Sequence, residues 1–359
     1  MTNDVPKHIP SLDGLRAISI LIVFVGHAGA GELIPGGFGV TVFFVLSGYL
    51  ITTLMRREIE GTGRVSIGGF YLRRVFRILP LFYVVLLCVT VATAYVGLGR
   101  GDVPVGATLA QFGHIANYWA IVRPAEPFMG GTGVYWSLAV EEHFYLIFPI
   151  LFVTFARVAL SYRRQAAILL AACGTVLAWR IVLVVGLDAS VSRIYYSTDT
   201  RIDSIIIGCA LALSANPVLD PEVPSRWVKL ALGIATIGLL ASFAIRTEAF
   251  RETVRYSIQS LAVVPFLYHA VTRPAGGVGR ILNHPTVAWF GRLSYAFYLV
   301  HFVIILELTK HMGTIPTAIA SFVLALLVSV VLQKLVERPG LRLRSRFTRS
   351  ARRAPAGIA

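Results

Sequence analysis

Two polar residues of the first apolar segment, Arg16 and His27, have types and spacing that could support chemistry. They are eleven residues apart, and eleven helical steps of about 100° end only about 20° beyond three full turns. A helix would therefore place both side chains on one face, about 16 Å apart along its axis. Charged groups inside a membrane span are costly and usually functional, so an anion held at Arg16 could extend toward His27. Alternatively, Arg16 reaches the lipid headgroups and His27 hydrogen-bonds a neighbouring helix.

An arginine cluster precedes the third apolar segment, in the sequence FYLRRVFRILP. Arg73 and Arg77 are four residues apart, and Arg74 and Arg77 are three apart, so on a helix they form one cationic face. Guanidinium groups bind phosphate through paired hydrogen bonds, which predicts a site for an anionic, phosphorylated ligand. Positive residues that only mark a cytoplasmic boundary would give the same pattern.

Two adjacent carboxylates, Glu141 and Glu142, begin the fourth apolar segment. Neighbours on a helix differ by about 100°, so we expect one to face the helix bundle and the other the interface or a loop. A buried glutamate could orient or charge-balance an imidazole. The structural alternative is that negative charge is favourable near a helix N-terminus.

Further polar groups within apolar segments are candidates for substrate contact. Ser47 lies in FVLSGYL, which lacks the GxSxG sequence of a nucleophile elbow, so its role is substrate contact or structure. Ser294, Tyr298 and His301 are four and three residues apart, which predicts a polar stripe that faces a cavity.

Two charged sequences near span ends have simpler interpretations. Arg201 and Asp203 are two residues apart and cannot face each other on a helix, so we expect Arg201 to pair with a carboxylate elsewhere. The sequence VERP, with Glu337 and Arg338, is expected to stop the last helix beside a local ion pair.

The elements that carry these residues must be membrane helices. Of 359 residues, 56% are hydrophobic and 14% charged, against about 45–50% and about 25% in soluble domains. This composition excludes disorder, a coiled coil and an ordinary soluble enzyme. The predicted fold is all-α, a polytopic transmembrane helical bundle, with residues 105–122 as an interfacial or re-entrant piece. The ten predicted spans are residues 12–30, 37–56, 77–98, 138–158, 165–186, 199–215, 227–245, 254–272, 287–309 and 314–335.

The distribution of positive charge predicts the orientation of these spans. With both termini cytoplasmic, about 22 Lys and Arg residues flank the inner ends of the spans and about seven flank the outer ends. This bias also accounts for the net charge of +15, so we expect no nucleic-acid partner. Residues 1–340 would form the membrane-embedded domain and residues 341–359 a basic cytoplasmic tail.

Seven motifs together resemble the acyltransferase-3 family, in order and in separation. The resemblance runs from about residue 8 to about residue 340, nearly the whole chain. Each motif alone is weak, whereas the set is specific for the family but not for an acceptor. The motifs are SLDGLRAISILIVFVGHAG, GGFGVTVFFVLSGYLI, FYLRRVFRILP, VYWSLAVEEHFYLIFP, TDTRIDSIIIG, GRLSYAFYLVHF and VERP.

The resemblance implies a bacterial inner-membrane, multi-pass acyltransferase. Such proteins take an acyl group, most often acetyl, from acyl-CoA at the cytoplasmic face and pass it to a hydroxyl of a sugar or lipid-linked glycan. It implies that Arg16 and His27 are the functional pair. The residues that match the family's arginine cluster and its tryptophan–serine–leucine segment are Arg73, Arg74, Arg77, Trp136, Ser137, Glu141 and Glu142.

Together these inferences predict the site. Catalysis is assigned to His27, Arg16, Glu141 and Glu142, and acyl-CoA binding to Arg73, Arg74 and Arg77. Acyl-CoA is a co-substrate, and neither a metal nor a tightly bound cofactor is expected. Substrate contacts are assigned to Ser47, Trp136, Ser137, Arg201, Tyr298 and His301.

Several alternatives remain open at the level of sequence. His27 is either a general base or a transient acyl carrier. The acceptor could be a macrolide or another secondary metabolite, and a transporter of an anionic glycolipid would also place Arg, His and Glu within the membrane. Longer family members carry an extracytoplasmic hydrolase-like domain, so this chain is expected either to complete transfer itself or to pass the acyl group to a separate protein.

Overall fold

The computed structural model describes residues 9–99 and 102–343, and these residues form helices and connecting loops with no β-strand. Most of the predicted basic tail, from residue 344, therefore lies outside the described residues. The helices are α1 (Pro10–Val25), α2 (Gly36–Thr62), α3 (Ile67–Val96), α4 (Val105–Phe112), α5 (Ala116–Val122), α6 (Trp136–Arg157), α7 (Tyr162–Ile181), α8 (Val191–Tyr196), α9 (Thr198–Arg201), α10 (Asp203–Ser214), α11 (Ser225–Ala244), α12 (Glu248–Glu252), α13 (Arg255–Thr272), α14 (Gly277–Leu282), α15 (Pro285–Thr309) and α16 (Thr314–Leu332).

The long apolar helices identify a multi-pass membrane protein. Over residues 9–99 and 102–343, eight helices are long and apolar enough to cross a membrane. They coincide with eight of the ten predicted spans. The predicted sixth span is shorter, because α9 and the 12-residue α10 are separated at Ile202. The predicted eighth span is the polar helix α13, with Gln259 and several hydroxyl side chains.

The segment at residues 105–122 is two short helices rather than a span. α4 has eight residues and α5 has seven, too few to cross a bilayer at about 1.5 Å per residue. The turn between them contains His114 at a φ of 54°. The prediction that this segment is not a span is therefore confirmed, whereas its interfacial or re-entrant position stays a prediction.

The centre of the bundle is the crossing of α2 and α10. A side chain at Gly48 would overlap the carbonyl oxygen of Ile205, and one at Gly208 would overlap the carbonyl oxygen of Val45. Small residues at such a crossing let two backbones approach closely within a membrane. The crossing holds Ser47, which precedes Gly48, at a defined depth in the bundle.

A buried ion pair joins α7, α10 and α13. Nη2 of Arg180 lies 2.7 Å from Oδ2 of Asp203, and both side chains are fully buried. The hydroxyl of Ser257 donates to the same carboxylate oxygen at 2.8 Å. Each charge is thereby compensated inside an apolar bundle.

The last helix does not stop at VERP, which corrects the sequence-based expectation. A π-helical turn at Gln333–Glu337 continues α16, and the helix extends through Pro339 to Leu343. The π turn already interrupts the regular hydrogen-bond ladder, so the proline that follows it is tolerated. This extension brings Glu337 and Arg338 to the central cavity.

Candidate active site

A cavity of about 800 Å³ opens into the bundle between α1, α2, α3, α6, α15 and the extension of α16. This volume is within the range of small-molecule sites, about 300–1,000 Å³. α2 ends and α3 begins near its mouth, which is the side that the positive-charge bias assigns to the cytoplasm.

The cavity has an excess of positive charge. Within the described part of the chain, seven arginines and four carboxylates line it. Arg73 and Arg292 lie at the mouth, with 38% and 46% of their side chains exposed. Nη2 of Arg73 also pairs with Oε2 of Glu58 at 2.8 Å. The arginines are Arg16, Arg57, Arg73, Arg74, Arg77, Arg292 and Arg338, and the carboxylates are Asp13, Glu141, Glu142 and Glu337.

Glu141 joins the arginines to a group of hydroxyls. Its carboxylate interacts with Ser47, with Tyr145 and with the guanidinium groups of Arg74 and Arg16. The hydroxyl oxygens of Ser47 and Tyr145 are 2.6 Å apart. The guanidinium carbon of Arg74 lies 5.2 Å from the centre of the Tyr145 ring. Glu141 is therefore placed to balance charge and to bind polar groups within the cavity.

Glu142 lines the same cavity, so the expectation that the two carboxylates face different surroundings is wrong. The cavity contacts α6 at Ser137, Leu138, Glu141, Glu142 and Tyr145, positions that recur at helical spacings of three and four. The face of α6 that borders the cavity is wide enough to include the adjacent residues Glu141 and Glu142, whose side chains point about 100° apart around the helix axis.

Ser137 and Tyr298 line a buried part of the cavity. The Tyr298 hydroxyl donates to the carbonyl oxygen of Val134 at 2.6 Å. Since that hydrogen is committed, the Ser137 hydroxyl donates to Tyr298 Oη, 2.7 Å away. This pair fixes α15 against the start of α6.

His27 contacts His301, about one turn of α15 beyond Tyr298. Nδ1 of His27 lies 3.0 Å from Nε2 of His301, and Nδ1 of His301 lies 2.8 Å from the carbonyl oxygen of Tyr298. His301 is completely buried, whereas His27 is partly exposed. Neither imidazole is part of the cavity lining.

The turn that carries His27 is a π turn, Gly26–Ala30. Gly29 has a φ of 110° within it, a conformation that favours glycine. The α-helical projection that placed Arg16 and His27 on one face therefore holds only up to Val25. Single π turns within helices recur at functional sites.

Trp136 and Arg201 lie together away from the cavity. The guanidinium carbon of Arg201 is 5.6 Å from the Trp136 ring and 3.8 Å from the Tyr256 ring. Arg201 is fully buried and pairs with no carboxylate among the described residues, so the expected ion pair is wrong. Asp203 pairs instead with Arg180, and aromatic faces stabilise the Arg201 cation.

The structure thus brings most of the sequence-predicted site residues together, although their roles stay predictions. The four that do not line the cavity form two pairs, His27 with His301 and Trp136 with Arg201. Those that line it are Arg16, Ser47, Arg73, Arg74, Arg77, Ser137, Glu141, Glu142 and Tyr298.

Three cavity arginines, Arg57, Arg292 and Arg338, are not among the residues predicted from the sequence. Arg57 follows Ser47, Leu50 and Leu54 at spacings of three and four on α2. That periodicity could have identified it, because these positions share one helix face. Arg338 is part of VERP, the expected helix stop, and has no such signal.

The arrangement combines an anion-binding mouth with a polar interior and, next to it, an imidazole pair. Such groups can hold a phosphorylated substrate at one end and move a proton at the other.

The chain is similar to proteins that are named as O-acetyltransferases. The 33%-identical "Peptidoglycan O-acetyltransferase OatA" of Listeria monocytogenes aligns over 319 residues, 83% of this chain and 50% of the relative. "Putative peptidoglycan O-acetyltransferase YrhL" of Bacillus subtilis is 30% identical, over 93% of this chain and 55% of the relative. "Putative O-acetyltransferase SACOL0978" of Staphylococcus aureus is also 30% identical, over 83% and 51%.

The chain spans about half the length of these curated relatives. No solved structure matches it significantly. The sequence model of one family, described as an acyltransferase domain, matches residues 9–334, which include the cavity mouth, the imidazole pair and almost every helix. The chain therefore belongs to the acyltransferase-3 family.

Proposed function

We propose that the protein is a bacterial inner-membrane O-acyltransferase that moves an acetyl group from acyl-CoA to a sugar hydroxyl of a cell-surface polysaccharide or glycolipid. The observation that supports it most is the continuity from the arginine-lined cavity to the His27–His301 pair. Tyr298 joins the two, because its side chain lines the cavity while its carbonyl oxygen accepts from His301.

The donor would bind with its phosphates at the cavity mouth. Acyl-CoA carries a ribose phosphate and a diphosphate, and several arginines from different helices can bind such groups at once. Arg77 and Arg16 lie close enough to repel each other electrostatically, so an anion between them would relieve that repulsion. The pantetheine arm would then extend past Ser47 and Glu141 toward Tyr298.

The chemistry would occur at His27, which lies near the opposite end of α1 from Arg16. His27 would act as the general base that removes the proton of the acceptor hydroxyl. The hydroxyl oxygen attacks the thioester carbonyl, the carbon–sulfur bond breaks, and the departing thiolate receives the proton. Glu141 and Glu142 would balance the charge of the arginines around the donor.

Radiolabelled acetyl-CoA, purified protein and a panel of acceptors test this proposal. We expect labelled glycan with the wild-type protein and none with His27→Asn. A transporter would leave no acylated product in any arm. Label on the wild-type protein that is chased into product and is absent from His27→Asn would instead identify His27 as an acyl carrier.

The acceptor arms should include peptidoglycan fragments, a lipid-linked sugar and a macrolide. Peptidoglycan comes first because two of the relatives are named for it. Product formed in native membranes but not by the purified chain would support a separate extracytoplasmic transferase. Product on the macrolide alone would contradict the glycan acceptor while leaving the acyltransferase intact.

A further inference from the structure

A chain of hydrogen bonds runs from the backbone of α15 to His27 and assigns a hydrogen to one nitrogen of each ring. The carbonyl oxygen of Tyr298 can only accept, so Nδ1 of His301, 2.8 Å away, carries a hydrogen. A neutral imidazole has one protonated nitrogen, which leaves Nε2 of His301 as an acceptor. Nδ1 of His27, 3.0 Å from that acceptor, must then donate. The lone pair of His27 is therefore on Nε2.

We propose that His301 is a positioning residue that holds His27 in the Nδ1–H tautomer and leaves its Nε2 free to take the proton of the acceptor hydroxyl. The catalytic consequence rests on the proposed acyltransferase function, whereas the tautomer assignment does not.

The surroundings of the pair favour one fixed arrangement. His301 is fully buried, and its ring is nearly parallel to that of Phe297, at an interplanar angle of 11°. The His27 ring packs on Phe302 with 4.4 Å between the ring centres. Among the described residues, no carboxylate bonds either imidazole. His301 therefore accepts the Nδ1 hydrogen of His27, as the carboxylate does for the histidine of a Ser–His–Asp triad.

The transfer step balances with this assignment. The acceptor O–H bond breaks as its proton moves to Nε2 of His27, and the oxygen forms a bond to the acetyl carbonyl carbon. The carbon–sulfur bond of the thioester breaks, and the coenzyme thiolate takes the proton from Nε2. The Nδ1 hydrogen stays on His27 and remains donated to His301 throughout.

Nitrogen NMR of the full chain in detergent micelles tests the tautomer without any activity measurement. The protein has eight histidines, and ring-¹⁵N labelling with a His27→Asn comparison identifies the His27 signals. We expect a protonated Nδ1 and an unprotonated Nε2 on His27. In His301→Leu the hydrogen should redistribute to Nε2, whereas His301→Gln should keep the wild-type pattern because its amide oxygen can accept. A wild-type His27 protonated on Nε2 would overturn the proposal even if neither His301 variant folds.

The kinetic arm separates positioning from a general structural defect. His301→Leu should lower kcat by about a hundredfold or more, as expected when a catalytic imidazole holds the wrong tautomer, with the acetyl-CoA KM unchanged. His301→Gln should recover to within about tenfold of wild type, and His269→Leu, at the far end of α13, should retain full kcat. A normal kcat in His301→Leu would contradict the role. A wild-type protein without transfer activity would contradict the proposed function, and NMR would still decide the tautomer.

Discussion

In the proposed reaction the arginines and His27 have separate tasks, since arginines hold a substrate and an imidazole moves a proton. The arginines line the cavity and His27 does not, and Tyr298 connects the two, since its side chain lines the cavity and its carbonyl oxygen accepts from His301, the partner of His27. A substitution in one group should therefore affect a different kinetic constant from a substitution in the other.

His27→Asn should abolish transfer while the protein still accumulates and binds acyl-CoA. Asparagine keeps a hydrogen-bonding group but cannot accept and return a proton near neutral pH. Loss of general acid–base catalysis costs about 10²–10⁴-fold. Turnover of labelled acetyl-CoA measures the effect. The control is His311→Asn, because the His311 side chain is 66% exposed after the end of α15. Retention of more than about a tenth of the activity would contradict the role of His27.

Arg77→Ala should raise the KM for acyl-CoA by about ten- to a hundredfold, the equivalent of about 1.5–3 kcal/mol for one charge-assisted contact. Arg77 lines the cavity, and its removal should leave the KM for the acceptor unchanged. Initial-rate measurements with each substrate varied in turn separate the two constants. Arg163→Ala, an exposed arginine at the start of α7, is the matched control. If the donor KM of Arg77→Ala is as low as that of Arg163→Ala, the arginine cluster only marks a cytoplasmic boundary and does not bind the donor.

Sequence patterns predict which residues lie on the same face of one helix. They predict less well which residues of different helices line the same cavity. The three-and-four spacing of Arg73, Arg74 and Arg77 is a local property, and all three line the cavity. The contact of His27 with His301 joins residues 274 positions apart, and no spacing along one helix can encode it. The surroundings of Glu142 cannot be predicted from its own helix, because the width of the cavity depends on the neighbouring helices.

At the level of the helices, the crossing of α2 and α10 determines where Ser47 lies. Gly48→Ala should destabilise the protein by about 1–3 kcal/mol, because the added methyl group would overlap the backbone of α10. It should also lower activity through displacement of Ser47. Thermal unfolding in detergent and transfer rates measure the two effects. Gly174→Ala on α7, where nothing lies within 4 Å, should show no loss. Unchanged stability in Gly48→Ala would show that the crossing is looser than described.

The buried ion pair predicts a different pattern of stability. Arg180→Met should cost about 3–5 kcal/mol, because Asp203 would remain buried without its partner. The double variant Arg180→Met with Asp203→Leu should recover much of that loss, because no uncompensated charge remains. Thermal unfolding midpoints of the three proteins provide the comparison. A double variant that is less stable than Arg180→Met alone would argue against this explanation.

For the whole molecule, composition was sufficient to predict a helical membrane bundle, but not the form of every span. A hydropathy pattern records length and apolarity, so the eight long apolar helices were found. α13 is polar and α10 has only 12 residues, so neither has the hydropathy pattern of a long apolar span. The two helices are held together by a hydrogen bond between the hydroxyls of Ser260 and Ser204. The continuation of α16 through Pro339 depends on a π turn, which has no clear sequence signal.

The proposed direction of transfer depends on the orientation of the bundle in the membrane. The ten-span interpretation places both termini in the cytoplasm, because about 22 positive residues flank the inner ends of the spans and about seven the outer ends. Reporter fusions after Gly61 and after Arg353 should therefore read cytoplasmic, and a fusion after Gly130, between α5 and α6, should read extracytoplasmic. The cavity mouth, with Arg73 and Arg292, would then face the compartment that contains acyl-CoA. An extracytoplasmic reading after Arg353 would contradict the ten-span interpretation, because an even number of spans places both termini on the same side of the membrane. A cytoplasmic reading after Gly130 would exclude α3 as a complete span.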